Sequence, residues 1–166
     1  MTRVVSIGEC MIELSGREGV TWRQGYAGDT LNTLWYLRAL SAASTETDYV
    51  SAFGDDPFSR EQVAFLRANG IGVAASPTIP GRAPGLYAIT LDAHGERSFT
   101  YWRQNAAARC LADDYDALSE SLHGAGLIYF SGITLAILDD NARDNLLSII
   151  ETARAGDTVV AFDPNY

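Results

Sequence analysis

An α/β protein built on a parallel sheet is what this sequence predicts, and three observations carry that expectation. Short apolar, β-branched runs alternate with longer segments of helical period: Arg3 to Ile7, a helix through Leu31, Leu34, Trp35 and Leu37, then Tyr49 to Phe53, then a helix from Phe58. Such alternation implies right-handed crossovers between parallel strands. Leu127-Ile128-Tyr129-Phe130 is apolar throughout, as a strand covered on both faces requires. Leu86 to Asp92 and Arg97 to Arg103 flank the turn Ala93-His94-Gly95-Glu96, an antiparallel hairpin that interrupts the alternation.

Taken in order, Arg3 to Ile7 is a buried strand ending at Gly8, and Met11, Ile12 and Leu14 continue the apolar character around Glu13. Gly25-Tyr26-Ala27-Gly28-Asp29-Thr30-Leu31-Asn32 reads as a glycine loop entering a helix, with Asp29 and Thr30 as caps. Such a helix start turns N–H groups and a positive dipole end toward a polar or anionic ligand, although many glycine turns only redirect the backbone. Tyr49 to Phe53 is the second strand, stopped by Gly54-Asp55-Asp56-Pro57, and Gly70 stops the helix that places Val63 and Leu66 on one face. Three of the five prolines then fall between Ser76 and Pro84.

In the hairpin a period of two puts Tyr87, Ile89 and Leu91 on one face of its first strand and Phe99, Tyr101 and Arg103 on one face of its second. A bare hairpin is marginal in water, so it must lean on other structure. A helix is expected from Ala106 to Leu122 with Asn105 as its cap. After the apolar strand to Phe130, a helix from Asp139 to Ala155 is stopped by Gly156 and followed by a strand from Thr158 to Phe162. No internal repeat, low-complexity tract or linker interrupts the sequence.

Composition narrows the function classes. The net charge of −9 and the lack of a basic cluster exclude a phosphate-backbone grip on nucleic acid. No apolar run reaches the roughly 20 residues of a membrane span, and the first residues enter a strand without a signal-peptide pattern, so a cytoplasmic protein is expected. Cys10 and Cys110 lie far apart without metal-ligand spacing, which predicts reduced, structural thiols. All 12 basic residues are arginine. A Walker A loop and a Schiff-base aldolase both need a lysine, so neither can be built here. No G-x-G-x-x-G follows the first strand, which weakens a Rossmann or flavodoxin-like reading. His94 and His123 read as solvated surface residues.

The residues Arg3 to Leu14, Gly28-Asp29-Thr30-Leu31-Asn32, Gly54-Asp55-Asp56-Pro57-Phe58, Tyr101-Trp102-Arg103, Ser131-Gly132-Ile133 and Asp163-Pro164-Asn165-Tyr166 together resemble the 2-keto-3-deoxygluconate kinases, a branch of the ribokinase-like (PfkB) sugar kinases. Ala27 departs from relatives that carry a second glycine there. The resemblance implies a doubly wound, mainly parallel sheet, incomplete in these residues, with a small β lid formed by a hairpin at about 84–104 and part of 12–26. Residues 1–166 would then be the N-terminal part of a ribokinase-like domain.

It further implies ATP-dependent phosphorylation of a keto-deoxy sugar acid, with ATP and Mg2+ required and a homo-oligomer formed through the lid. The substrate-binding residues implied are Glu13, Gly28, Asp29, Asn32, Tyr87, Tyr101, Arg103 and Ile133, with Asp163 and Asn165 near nucleotide and metal. Arg103 suits a carboxylate, which a guanidinium can hold bidentately. A neutral sugar would leave that guanidinium without a partner. Glu13 reads equally as a solvated strand-edge charge, and Tyr87, Phe99 and Tyr101 as an aromatic stripe on the core.

The family's catalytic base and anion hole lie in a Gly-Ala-Gly-Asp segment further on. Gly124-Ala125-Gly126 and Ala155-Gly156-Asp157 read as structural turns, since the first enters a strand and the second closes a helix. These 166 residues alone are therefore expected to be inactive. Fructokinase or another sugar kinase, and a non-catalytic sugar-acid-binding or dimerising module, remain the alternatives.

Overall fold

The computed structural model describes residues 3–17, 21–73 and 75–165, so Tyr166 and the part of the expected lid at 18–20 lie outside the described residues. The chain runs β1 (Arg3–Ile7), β2 (Met11–Arg17), β3 (Thr21–Ala27), α1 (Asp29–Leu40), β4 (Glu46–Val50), β5 (Phe53–Gly54) and α2 (Pro57–Ala68). It continues through β6 (Thr78–Ile79), β7 (Leu86–Leu91), β8 (Arg97–Trp102), α3 (Tyr115–Leu122), β9 (Leu127–Ser131), α4 (Gly132–Ile137), α5 (Asp140–Ala155) and β10 (Val159–Asp163).

Four strands form the parallel sheet in the order β10-β9-β1-β4. Alternation along β1 explains how it is covered on both faces. Val5 and Ile7 join Ile128, Leu118 and Leu146 in the core beneath α3 and α5, while Val4 joins Tyr49, Leu31, Leu34 and Leu66 beneath α1 and α2. This is the doubly wound α/β arrangement. Ser6, on the α1 face, donates its hydroxyl to the Thr30 carbonyl at 2.9 Å, so the polar position in the strand is satisfied by the helix start.

A second sheet has the order β3-β2-β7-β8. The expected hairpin is present, with Tyr87 opposite Tyr101 and Ile89 opposite Phe99. It leans on β2, which pairs in parallel with β7 and antiparallel with β3.

Several local expectations change. Gly25 lies in β3, not in a loop: Thr21–Ala27 pairs along its length with β2, and Tyr26 packs on Phe65, which also stacks on Trp35 at 5.3 Å. Asn105 caps nothing; a 3-10 turn at Ala107–Cys110 comes first, and Asp114 caps α3 through the Ala117 N–H. A short helix, α4, precedes α5, and its start is a capping box between Ser131 and Thr134. Gly124 sits in a left-handed turn before β9 and Gly156 ends α5, the turn roles expected of them. Both cysteines are free thiols. Among the described residues, no helix is long and apolar enough to cross a membrane.

Candidate functional site

Three chain segments meet at the carboxyl ends of β1 and β9, the edge at which open α/β sheets bind ligands. The first is the entry to α1. Gly28 holds the N-cap position without a side-chain cap, and the first helical bond runs from the Asn32 N–H to the Gly28 carbonyl at 2.8 Å. Asp29 and Thr30, expected from the sequence to cap the helix, are instead its first two residues. The uncapped start leaves first-turn N–H groups without an intrahelical acceptor. Gly28 is extended, at φ 178°, so its dihedral suits any residue; a Cβ there would collide with the Glu9 carbonyl oxygen. Close approach to the end of β1, not backbone freedom, requires a glycine.

The second segment is the β7–β8 face. Tyr87, Phe99 and Tyr101 pack as a cluster with ring centroids 5.7–6.3 Å apart. Tyr87 is buried and donates its phenol to Glu13 on β2. Burial raises the Tyr87 phenol above its ordinary value, and the Glu13 carboxylate adds to this. The third segment follows β10 and β9. Asn165, in a left-handed turn, donates its side-chain amide to Asp29 Oδ2 at 2.9 Å, and its N–H to Asp163 Oδ1 at 2.9 Å.

Between these segments lies a hollow of about 290 Å3, bordered by Gly28, Asp29, Asn32, Tyr87, Tyr101, Arg103, Ile133 and Asn165 among others. All eight are residues singled out in the sequence. The remaining two are elsewhere: Glu13 supports Tyr87 from β2, and Asp163 ends β10 as the acceptor of the Asn165 N–H.

The group missed in the sequence is Glu9, which also lines this hollow. Its side chain is 2% exposed and forms an ion pair through Oε2 with the Arg103 guanidinium. Arg103 is thus already paired within the chain, which corrects the expectation that a neutral ligand would leave it without a partner. Glu9 Oε1 is buried with no hydrogen-bond partner. Burial raises the Glu9 carboxyl above its usual value, and Arg103 and Arg109 oppose that shift only in part. A signal for Glu9 existed in the sequence: it is a charge directly after a mostly apolar, buried strand and its Gly8 stop, a place where solvent is scarce.

The arrangement offers hydroxyl, amide and carboxylate groups for a polyol, one guanidinium for an anion, and aromatic rings to cover a small ligand. Among the described residues, no group of three or more His, Cys, Asp or Glu could hold a metal ion.

Comparison with known proteins identifies the family. The chain is 42% identical over 166 residues to a 2-dehydro-3-deoxygluconokinase of Dickeya dadantii, covering 98% of this chain and 53% of that protein. The fold matches the crystal structure of 2-dehydro-3-deoxygluconokinase from Thermotoga maritima with a TM-score of 0.85 at 22% identity, over 100% of this chain and 52% of that one. It also matches fructokinase with bound ATP from Xylella fastidiosa with a TM-score of 0.81 at 20% identity, over 99% and 52%. The chain spans about half the length of the curated relatives it matches. The family model described as pfkB family carbohydrate kinase matches residues 1–166, and the chain belongs to that family.

Proposed function

We propose that the protein carrying these residues phosphorylates 2-keto-3-deoxygluconate with ATP, and that the hollow at α1 holds the sugar acid. The observation that carries this reading is the meeting, in one hollow, of the uncapped α1 entry with Tyr87, Tyr101 and Arg103 from the second sheet. The relative at 42% identity, itself named for this substrate, supports it. In this reading Arg103 meets the carboxylate, Tyr101 and Asn32 meet oxygens of the sugar, and Gly28, Asp29 and Ile133 shape the floor. Glu13 acts through Tyr87.

Phosphoryl transfer draws its acceleration from placing donor, metal and acceptor together. The described residues fit the acceptor side. Mg2+ keeps several waters and uses one or two carboxylates besides phosphate oxygens, so Asp163, next to Asn165 at the sheet edge, fits as a contributor beside ATP. A polypeptide of these 166 residues alone is expected to turn over no ATP. The exposed aromatic side of β8 would be covered by a second copy of the protein.

The Glu9–Arg103 pair favours one second reading. Because the guanidinium is satisfied internally, a neutral hexose is chemically admissible, and a fructokinase is the alternative. A coupled kinase assay on the intact protein with 2-keto-3-deoxygluconate, fructose and ribose decides. Turnover of the sugar acid well above the others is expected. Preference for fructose would establish the alternative, and turnover of none would leave a binding module.

A further inference from the structure

Glu9 has three features that an ordinary structural ion pair does not combine. Its side chain is 2% exposed, it lines the hollow, and one of its two oxygens has no hydrogen-bond partner. A carboxylate in that position is costly to keep charged, and the cost is offset mainly by its single close cation. That cation, Arg103, also lines the hollow and keeps a quarter of its side chain exposed. It is the one basic side chain bordering the hollow among the described residues. A ligand carboxylate that pairs with a side-chain cation there must therefore share the guanidinium with Glu9.

We propose that Glu9 is a specificity-determining counter-ion, which holds Arg103 in place and takes up a solvent proton when a ligand carboxylate engages the same guanidinium. This rests on the sugar-acid reading above. Two carboxylates competing for one cation in a poorly hydrated space cannot both remain charged at low cost, so the more buried one is protonated. The proton goes from bulk water to the Glu9 carboxyl, no bond to the ligand forms, and the charge in the hollow is unchanged by binding. A neutral sugar does not disturb the pair and takes up no proton.

The other groups facing Glu9 do not provide this. Arg109 acts only at longer range, Asp29 carries like charge and adds to the same tendency, and the Cys10 thiol and Tyr49 phenol are buried and pushed up, so both stay neutral. His94 lies in the β7–β8 turn and His123 at the end of α3, neither bordering the hollow. Burial already places the Glu9 carboxyl above its usual value, and ligand binding at Arg103 weakens the opposing attraction. The sign follows by linkage: if binding raises the proton affinity of Glu9, the ligand binds more tightly as pH falls.

Calorimetric titration of the intact protein with 2-keto-3-deoxygluconate, near pH 6.5 in two buffers of different ionisation enthalpy, tests this. Net proton uptake is expected in the wild type, with tighter binding at pH 6 than at pH 8. Both effects should be lost in Glu9→Gln. Binding without buffer dependence in the wild type overturns the proposal whatever the variant does. Undiminished uptake in a folded Glu9→Gln protein overturns it as well. No binding heat at any pH removes the sugar-acid reading, and this one with it.

Discussion

In the parallel sheet, Val5 and Ile7 on β1 and Ile128 on β9 have 0% of their surface exposed. In the second sheet every residue of β8 is exposed, and Phe99, Tyr101 and Trp102 remain 48–58% accessible. Both sheets are rich in large apolar side chains, yet β1 and β9 of the first are covered on both faces, with only its edge strand β10 left open, whereas β8 of the second presents aromatics to the hollow and to solvent. The contrast separates two tasks. Apolar area removed from water contributes about 25 cal/mol per Å2, so the parallel sheet supplies most of the stability. The second sheet contributes less, and the aromatic residues of β8 stay exposed while Arg103 borders the hollow.

The largest expected effect comes from the buried side. Ile128→Ala should destabilise the intact protein by about 2–5 kcal/mol in denaturant unfolding, with substrate affinity unchanged in what remains folded. If a β8 truncation cost as much, the division between the sheets would collapse.

The junction of the two sheets comes next. A Cβ on Gly85, just before β7, would press against Glu9 Oε1 and come within 3.1 Å of Arg103 Cβ and Met11 Cγ. Gly85→Ala should cost about 1–3 kcal/mol of stability from overpacking, and should also weaken sugar-acid binding by displacing the pair. A stability loss with fully retained affinity would show that the pair tolerates being moved.

A smaller effect is expected at the ligand side. Arg103→Ala should raise KM for the sugar acid ten-fold or more, at about 1.4 kcal/mol per decade, and leave any fructose turnover little changed. Equal losses for both sugars in steady-state kinetics would assign Arg103 to the fold instead of to the carboxylate.

The smallest stability change belongs to the exposed strand. Trp102→Ala should shift monomer stability by no more than about 0.5 kcal/mol, as for surface positions in general. It should weaken self-association in sedimentation velocity if β8 faces a second copy. An unchanged sedimentation profile together with a large stability loss would mean that β8 is held by the fold itself.

Much of this could be read along the chain, because periodicity is a local property. The run Leu127 to Phe130 needed two covered faces, and it became β9, a central strand between β1 and β10. The β7–β8 hairpin was legible from its turn, but five residues, 92–96, connect the strands where four were expected, which shifts the register by one and sets Tyr87 opposite Tyr101. Gly28, Asp29, Asn32, Tyr101 and Arg103 were visible as residue types suited to a ligand, and they border one hollow.

What the tertiary structure alone decided lies in long-range pairing. Thr21–Ala27 carries Trp22, Arg23, Gln24 and Gly25, a poor strand pattern in isolation, and it is a strand because β2 supplies its hydrogen bonds. Tyr87 and Glu13 are 74 residues apart, and Arg103 and Glu9 are 94 apart. No local pattern encodes which carboxylate faces which guanidinium or phenol. That is set only when β2 and β7 align in register and bring Glu9, two residues after β1, against Arg103, the residue after β8, where exclusion of water makes an otherwise ordinary glutamate and arginine depend on each other.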